Sequence, residues 1–226
     1  MNAMNKASAA RRARLMAVGL AVLSLCACGS LGTPAAPPVA YYALNKVRPV
    51  TAPVATVSAP MSSSALTLII NPPHAAPGFD SPRIIYLRQP FKLAYFANSE
   101  WVDPPARMLG PLLVTALDSS AAFRAVVLTP GAASGDLRLD TLIVRLQHEF
   151  QSQPSQVRFT LRATLVDDKT RRVLAWREFE AAAPASSEDA YGGVLAANQA
   201  VETVLGELSA FCTQAVRNQA NSSGKR

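Results

Sequence analysis

The clearest pattern in the chain is an alternation of apolar and polar residues between Val157 and Leu165. The odd positions are all apolar, and the even positions hold arginine or threonine. A period of two residues is typical of a β-strand that buries one face and exposes the other. The segment 167–171 has turn-forming residues, and the segment 173–180 then predicts a return strand beside the first.

Shorter apolar segments predict most of the remaining strands. The segment 66–70 is rich in β-branched residues and is stopped by an asparagine and two prolines. The segments 83–88 and 91–97 are separated by Gln89-Pro90, and this arrangement predicts a hairpin. Two further short strands are predicted at 41–44 and 123–128.

The longest predicted strand, 137–150, changes its inward-facing parity along its length. The apolar residues occupy odd positions at its start and even positions from Leu142 onward. One extra residue near Asp140-Thr141 would keep both sets on the core face, so the pattern predicts a β-bulge there. His148 falls at an inward position near the end of this strand.

Apolar residues recur at helical spacing after Trp101, between residues 104 and 117. Asp103 is a good N-cap, and Pro104 suits the first helical position. Pro111 lies within the pattern, where a proline removes a hydrogen bond. The helix therefore either kinks at this proline or begins there after a short turn.

A second helix is predicted after Ser186 and Asp189, which form a candidate capping pair. The side chains expected on its apolar side are Tyr191, Val194, Leu195, Asn198, Val201, Leu205, Leu208, Phe211, Cys212 and Ala215. The order of strands, helix, strands and helix predicts an α+β fold. We expect a mostly antiparallel sheet with two helices packed on one face.

The first 27 residues have the pattern of an export signal. Four basic residues and no acidic residue occur in this segment, and Leu15–Leu25 carries no charge. The uncharged run is about half of the ~20 residues that a transmembrane helix needs. The pair Arg11-Arg12 leaves twin-arginine export open beside the general export pathway.

The segment Leu25-Cys26-Ala27-Cys28 resembles the bacterial lipobox. This resemblance implies cleavage after Ala27 and attachment of acyl chains, such as palmitate, to Cys28. Modification of Cys26 is disfavoured because Leu25 is too large for the usual cleavage pocket. The remaining alternative is an ordinary secreted protein that is cleaved near Ala27.

Composition divides the chain that follows the predicted signal peptide, 1–27. Residues 28–63 form a tether rich in proline and alanine with a short strand near 41–44, residues 64–218 form the domain, and residues 219–226 form a disordered tail. Cys212 has no partner for a disulfide once Cys28 is acylated, so it is expected to be a small buried apolar residue.

Charge and motifs exclude several classes of function. The signal peptide supplies four of the basic residues behind the formal charge of +7, so we expect no nucleic-acid partner. His74 lies in a proline-rich loop and His148 stands beside Glu149, but neither belongs to a cluster with metal-ligand spacing. Nucleophile-elbow and phosphate-loop motifs are also absent from the sequence. We therefore expect a protein that is not an enzyme and has no cofactor or metal.

Four arginines form a candidate surface. Arg145, Arg158, Arg162 and Arg177 are expected to project from the sheet face that the helices leave uncovered. Such a face could bind lipid headgroups or an acidic partner. The alternative is a solvated face in which the arginines are interleaved with threonine and glutamate.

Three motifs follow one another in the middle of the chain, Phe79–Tyr86, Lys92–Phe96 and Glu100–Pro105. Tyr41–Leu44 precedes them after the lipobox, and Phe123–Val126 follows them. Their order resembles the ABC-type transport auxiliary lipoprotein family, which includes paraquat-inducible protein C. The resemblance covers about residues 28–215.

The resemblance implies a non-enzymatic subunit that is lipid-anchored on the periplasmic face of the outer membrane. Gly29 after Cys28 favours the outer membrane by analogy with lipoprotein sorting in enteric bacteria. The implied partners are an inner-membrane ABC permease and ATPase and a periplasm-spanning protein with MCE (mammalian cell entry) domains, with lipid as the cargo. The subunit would dock this conduit at the outer membrane, and a homo-oligomer is possible.

Two other functions stay open at this point, a periplasmic lipid-binding carrier and a lipoprotein hydrolase. For the docking function, the candidate contact rim is Trp101 with the loop 79–82, which contributes Phe79, Asp80 and Pro82. The alternative for Trp101 is ordinary packing in the core.

Overall fold

The computed structural model describes residues 37–45, 66–131 and 134–223. The strands are β1 (Ala40–Tyr42), β2 (Thr67–Ile70), β3 (His74–Ala75), β4 (Arg83–Gln89), β5 (Lys92–Trp101), β6 (Ala125–Leu128), β7 (Leu137–Glu149), β8 (Gln156–Asp167) and β9 (Val173–Pro184). The helices are α1 (Pro105–Asp118) and α2 (Ala190–Ser223), so α2 continues past residue 219, where the sequence predicts a tail.

The strands form one sheet around β7. Along one edge of β7, the short strands β2, β3 and β4 pair in succession, all of them parallel to it. Along the other edge, β8 pairs antiparallel over almost the whole length of β7, and β9 pairs antiparallel with β8. The sheet is extended by β6, which pairs with β2, and by β5, which pairs with β4 on one edge and with β1 on the other.

The predicted α+β class is confirmed, but the prediction of a mostly antiparallel sheet is wrong. The sheet is mixed, and β1, β2, β3 and β4 each make a parallel pair. The sequence pattern identifies hairpins because the partners are adjacent in the chain. It does not reveal that three short strands from separate segments share one edge of a distant long strand.

The predicted burial of the β8 residues at odd positions is correct, and these residues form the centre of the core. The predicted bulge exists in β7, but it lies between Ile143 and Arg145 rather than near Asp140-Thr141. The polar side chain of Thr141 is buried together with its apolar neighbours at odd positions. The residues at odd positions therefore face the core as far as Ile143. The change to even positions comes later in the strand than the apolar residues alone indicate.

Helix α1 begins one residue later than predicted, with Pro104 at the N-cap and without a side-chain capping bond. Asp103 instead pairs with Arg107, with 3.3 Å between Oδ1 and Nη1. The helix continues through Pro111. A proline inside a helix costs about 3 kcal/mol, whereas each fully buried leucine of α1 contributes about 1.5–3 kcal/mol. Three such leucines therefore outweigh the proline, and they are Leu109, Leu113 and Leu117.

Asp189, the predicted capping residue, immediately precedes α2, and its carboxylate accepts the N–H of Gly192 at 2.8 Å. The hydroxyl that donates a hydrogen bond to Asp189 belongs to Ser187 rather than to the predicted Ser186. Two large side chains expected in the core are exposed, Tyr191 at 55% and Leu195 at 42%. Small residues occupy the buried face instead, namely Gly192, Gly193, Ala196, Ala197 and Ala200.

The small residues of α2 allow its first turns to approach the sheet closely. A Cβ atom added at Gly193 would lie 2.5 Å from Nδ1 of His148, which belongs to β7. The same addition at Gly206, farther along α2, would meet no atom within 4 Å. The two glycines therefore have opposite structural roles on one helix.

Replacement of Gly193 by alanine is expected to lower the free energy of unfolding by a net value of about 1–2 kcal/mol, because overpacking outweighs the gain in helix propensity. Gly206→Ala is the matched control and should raise stability by up to about 1 kcal/mol. Urea unfolding of the purified variants measures both effects. Equal effects at the two positions would contradict the close approach of α2 to β7.

Candidate functional site

The predicted lipidation site, Cys28, lies outside the described residues, and acylation stays a prediction. Among the described residues, neither helix is long and apolar enough to cross a membrane. In the same part of the chain, no group of three or more His, Cys, Asp or Glu side chains is placed to hold a metal ion.

The arginines of β8 lie on the uncovered face of the sheet, where they are paired with carboxylates. Arg158 reaches Glu149 at 3.1 Å and Glu180 at 2.6 Å. Arg162 reaches Glu178 at 2.9 Å. These pairs join β7, β8 and β9 across the sheet, so the charges on this face are largely compensated within the domain.

The pKa values agree with this compensation. Burial would raise the pKa of Glu149, but hydrogen bonds from Arg158 and Gln147 outweigh it and the pKa lies below its usual value. The pKa of Glu180 is lowered in the same way, against its own burial, by hydrogen bonds from Arg158 and Thr160. Both groups are ionised at neutral pH, and the arrangement matches the solvated face more closely than a free basic surface.

Of the other two predicted arginines, Arg145 lies on this uncovered face, whereas the prediction that Arg177 lies there is wrong. Arg177 pairs in register with Ala163, a core residue, so it lies on the face that packs on the helices. Its guanidinium lies 5.0 Å from the ring centre of Phe179. Arg145 pairs in register with Thr160, and its charge helps to lower the pKa of Glu180.

The predicted contact rim separates into an accessible loop and a core residue. Trp101 is 3% exposed and belongs to the core. Its backbone N–H donates to the carbonyl of Pro82 at 2.7 Å, which fixes the end of the loop. Phe79 and Pro82 are half-buried, and Asp80 is exposed. The loop can contact a partner, whereas Trp101 supports the loop from below.

The short strand within the predicted tether and the residues that follow it are held against α2 by hydrogen bonds that the sequence does not predict. The side chain of Asn198 accepts the N–H of Asn45 at 2.7 Å and donates to the carbonyl of Ala43 at 3.3 Å. Tyr42 also contacts Tyr191, with 6.3 Å between ring centres. The one sequence signal was the position of polar Asn198 on the apolar side of the helix.

A groove of about 460 Å³ runs between α1 and α2. Such a volume is within the range of about 300–1,000 Å³ that is usual for small-molecule sites. Its walls combine apolar and polar side chains. The apolar members are Leu112, Ala116, Leu195, Val201 and Leu205, and the polar members include Asn45, Asn198 and Ser209.

An aromatic cluster lies at the end of the sheet where β4 joins β5. Tyr86 and Phe96 have ring centres 4.7 Å apart, and Phe150 lies 4.1 Å from the ring of His148. The guanidinium of Arg88 covers this cluster at 4.6 Å from the ring centre of Phe150. Sequence analysis missed the cluster because its members come from three separate strands and a loop.

His148 is buried at the edge of this cluster. Its Nε2 is 2.7 Å from Oγ of Ser155, and its Nδ1 has no hydrogen-bond partner. Burial lowers the pKa of His148, and the effect is stronger than the opposing attraction of the Glu188 and Asp189 carboxylates. The imidazole is therefore neutral in the folded protein at neutral pH.

The described part of the chain thus defines an α+β domain that offers surfaces and a groove rather than a cluster of reactive groups. The chain belongs to the family of ABC-type transport auxiliary lipoprotein components, because the model of that family matches residues 48–209. The resemblance seen in the sequence motifs is therefore confirmed. No curated protein matches the chain significantly.

Two solved structures have a similar fold. Protein XCC0632 from Xanthomonas campestris is 26% identical, with a TM-score of 0.69 over 81% of this chain and 99% of its own. An uncharacterized protein is 12% identical, with a TM-score of 0.59 over 77% of this chain and 99% of its own. The second likeness shows the fold alone.

The neutral state of His148 makes a prediction about pH. The unfolded chain takes up a proton near the ordinary pKa of 6.5, whereas the folded protein resists protonation until a lower pH. The free energy of unfolding should therefore fall as pH decreases below about 6.5. His148→Gln retains a group that can bond to Ser155 and should flatten this decline between pH 7.5 and 5.5, as measured by urea unfolding. Identical pH profiles for the wild-type protein and the His148→Gln variant would contradict the conclusion that His148 is neutral in the folded protein.

Proposed function

We propose that this protein is a lipid-anchored accessory subunit of an ABC transport system that moves lipid through the periplasm. In this proposal its partner is an MCE-domain protein, and it docks that conduit at the inner face of the outer membrane. The observation that carries the proposal is the family match over residues 48–209, on a chain in which residues 25–28 resemble a lipobox. The subunit acts by binding and not by catalysis.

The contacts of β1 support this role. Residues 40–45 are fixed to β5 and α2 by backbone pairing and by the two hydrogen bonds of Asn198. A tether from Cys28 would therefore join the folded domain at a fixed point and limit its distance from the membrane. A docking subunit needs such a fixed attachment, because its partner must meet the domain at a defined distance from the membrane.

Among the surfaces of the described residues, the loop 79–82 suits contact with the conduit. Asp80 in this loop is exposed. One end of the loop is fixed because the N–H of Phe79 donates to the carbonyl of Ala76, and the other because the N–H of Trp101 donates to the carbonyl of Pro82. A preorganised loop loses little conformational entropy when it binds a partner. The arginines of β8 are already paired, so they add little net charge to such an interface.

A lipid-binding carrier is the second candidate function. The groove between α1 and α2 favours it, because apolar side chains form part of its walls and its volume suits a small ligand. In this case the protein would extract with bound lipid rather than with an MCE protein.

The proposal is tested by affinity purification from detergent-solubilised envelopes of the native bacterium. An MCE-domain protein is expected to co-purify with the wild-type protein. Cys28→Ala should remove the protein from the membrane fraction because acyl chains can no longer be attached. Cys26→Ala is the matched control and should leave membrane attachment and co-purification unchanged.

One result would contradict docking, and a second would contradict acylation at Cys28. One is purification of the wild-type protein with extractable lipid but without an MCE-domain protein, which would support the carrier. The other is full membrane retention of Cys28→Ala together with loss of retention in Cys26→Ala. That result would show that Cys26, and not Cys28, carries the acyl chains.

A further inference from the structure

The tip of the β4–β5 hairpin, defined here as Arg88–Lys92, presents an aromatic ring that the fold does not use. Phe91 is fully exposed. It also adopts a φ of 64°, a conformation that bulky residues rarely take and that costs roughly 1–2 kcal/mol. An aromatic residue at this position contributes no burial to the domain, so its apolar surface is available to something outside it.

The hairpin tip is supported from beneath. Tyr86 and Phe96, one on each strand of the hairpin, pack on each other and on Phe150 at the end of β7. The guanidinium of Arg88 lies over both Phe150 and Tyr86. The tip is therefore presented by a packed base, and Phe91 projects beyond that base.

The charge of the hairpin is positive. Between Ser81 and Ser99 the chain carries one lysine and two arginines and no acidic residue. The nearby carboxylates of the β9–α2 loop are engaged internally, Glu188 with the N–H of Ser155 and Asp189 with the N–H of Gly192. An exposed apolar ring between two cations matches an anionic membrane interface, where the ring is buried and the cations meet headgroups.

The direction of β1 places this tip on the side from which the chain enters the domain. Since β1 is parallel to β5, with Ala40 opposite Ser99, the chain before Ala40 enters from the hairpin side of the sheet. The tip lies about 23 Å from the level of Ser99, at ~3.3 Å per residue. The twelve residues from Cys28 to Ala40 can span up to about 40 Å. The anchor can therefore lie in the same membrane plane that the tip touches.

We infer that the hairpin tip is a second membrane contact, in which Phe91 enters the interface of the anionic bilayer that holds Cys28. The inference rests on the proposed lipid anchor. One acylated residue leaves a domain free to rotate about its tether. A second contact fixes the orientation of the domain and sets which of its surfaces face the periplasm.

The test uses the full acylated protein in vesicles of phosphatidylethanolamine and phosphatidylglycerol, with a fluorescent label on an introduced cysteine. Gln89→Cys places the label beside Phe91, and Lys169→Cys is the matched control in the exposed turn at the opposite end of the sheet. Cys212 should not react, because it is fully buried and burial raises its pKa to about 12. Quenchers attached to the lipid acyl chains report membrane contact.

We expect the lipid quenchers to quench the label at position 89 but not the label at position 169. Adding Phe91→Asn to the Gln89→Cys variant should lower the ratio of membrane-bound to free tips about tenfold, since a buried phenylalanine side chain is lost. Asparagine tolerates positive φ, so the hairpin itself is retained.

Equal quenching at the two labelled positions, in protein that floats with the vesicles, would overturn the inference while leaving the anchor intact. Unchanged quenching in the Phe91→Asn variant would overturn it as well. A tip shielded from aqueous iodide but not reached by the lipid quenchers would instead indicate contact with a second copy of the chain. Protein that does not float with the vesicles would show that the anchor is wrong, and the inference would fail with it.

Discussion

The hydrogen-bonding capacity of β7 is the constraint on which the rest of the fold depends. This strand offers two edges of backbone groups, and each buried group needs a partner. One edge is satisfied by β8 alone, and the other is shared in succession by β2, β3 and β4. Three segments that are separate in sequence thus become neighbours because they complete the same ladder.

This sharing also places the surfaces of the domain. The pairing of β4 with the end of β7 brings Tyr86 beside His148 and builds the base of the hairpin. The pairing of β8 and β9 aligns Arg158 and Arg162 with their carboxylate partners across the sheet. The uncovered face of the sheet consequently carries paired charges from three strands, whereas the fully exposed ring of Phe91 lies at the hairpin tip.

Sequence patterns predicted the local features of this structure well. The alternation in β8, the β4–β5 hairpin and the capping role of Asp189 each depend on neighbouring residues, which a periodic pattern records. The errors arose where tertiary contacts override size or polarity. Thr141 is buried although it is polar, and Tyr191 is exposed although it lies beside a buried helical face. Close packing of α2 selects glycine and alanine, and hydrophobic patterns give these residues little weight.

In the candidate sites, too, sequence patterns predicted the local features and missed those that depend on tertiary contacts. The family could be identified from the order of motifs, and it is confirmed by the match over residues 48–209. The pairing of the arginines, the support of the loop 79–82 by Trp101 and the contacts of Asn198 could not be foreseen. Each of these contacts joins residues on different elements, and its partners are known only once the strand order is known.

Mass spectrometry of the mature N-terminus from native membranes tests most directly whether the domain acts at a membrane surface. The expected N-terminal peptide begins at Cys28 and carries a diacylglyceryl group on sulfur. This modification would place the domain at the end of a short tether, as the proposed docking function requires. A mature chain that begins at another residue, or an unmodified Cys28, would contradict a lipid-anchored subunit.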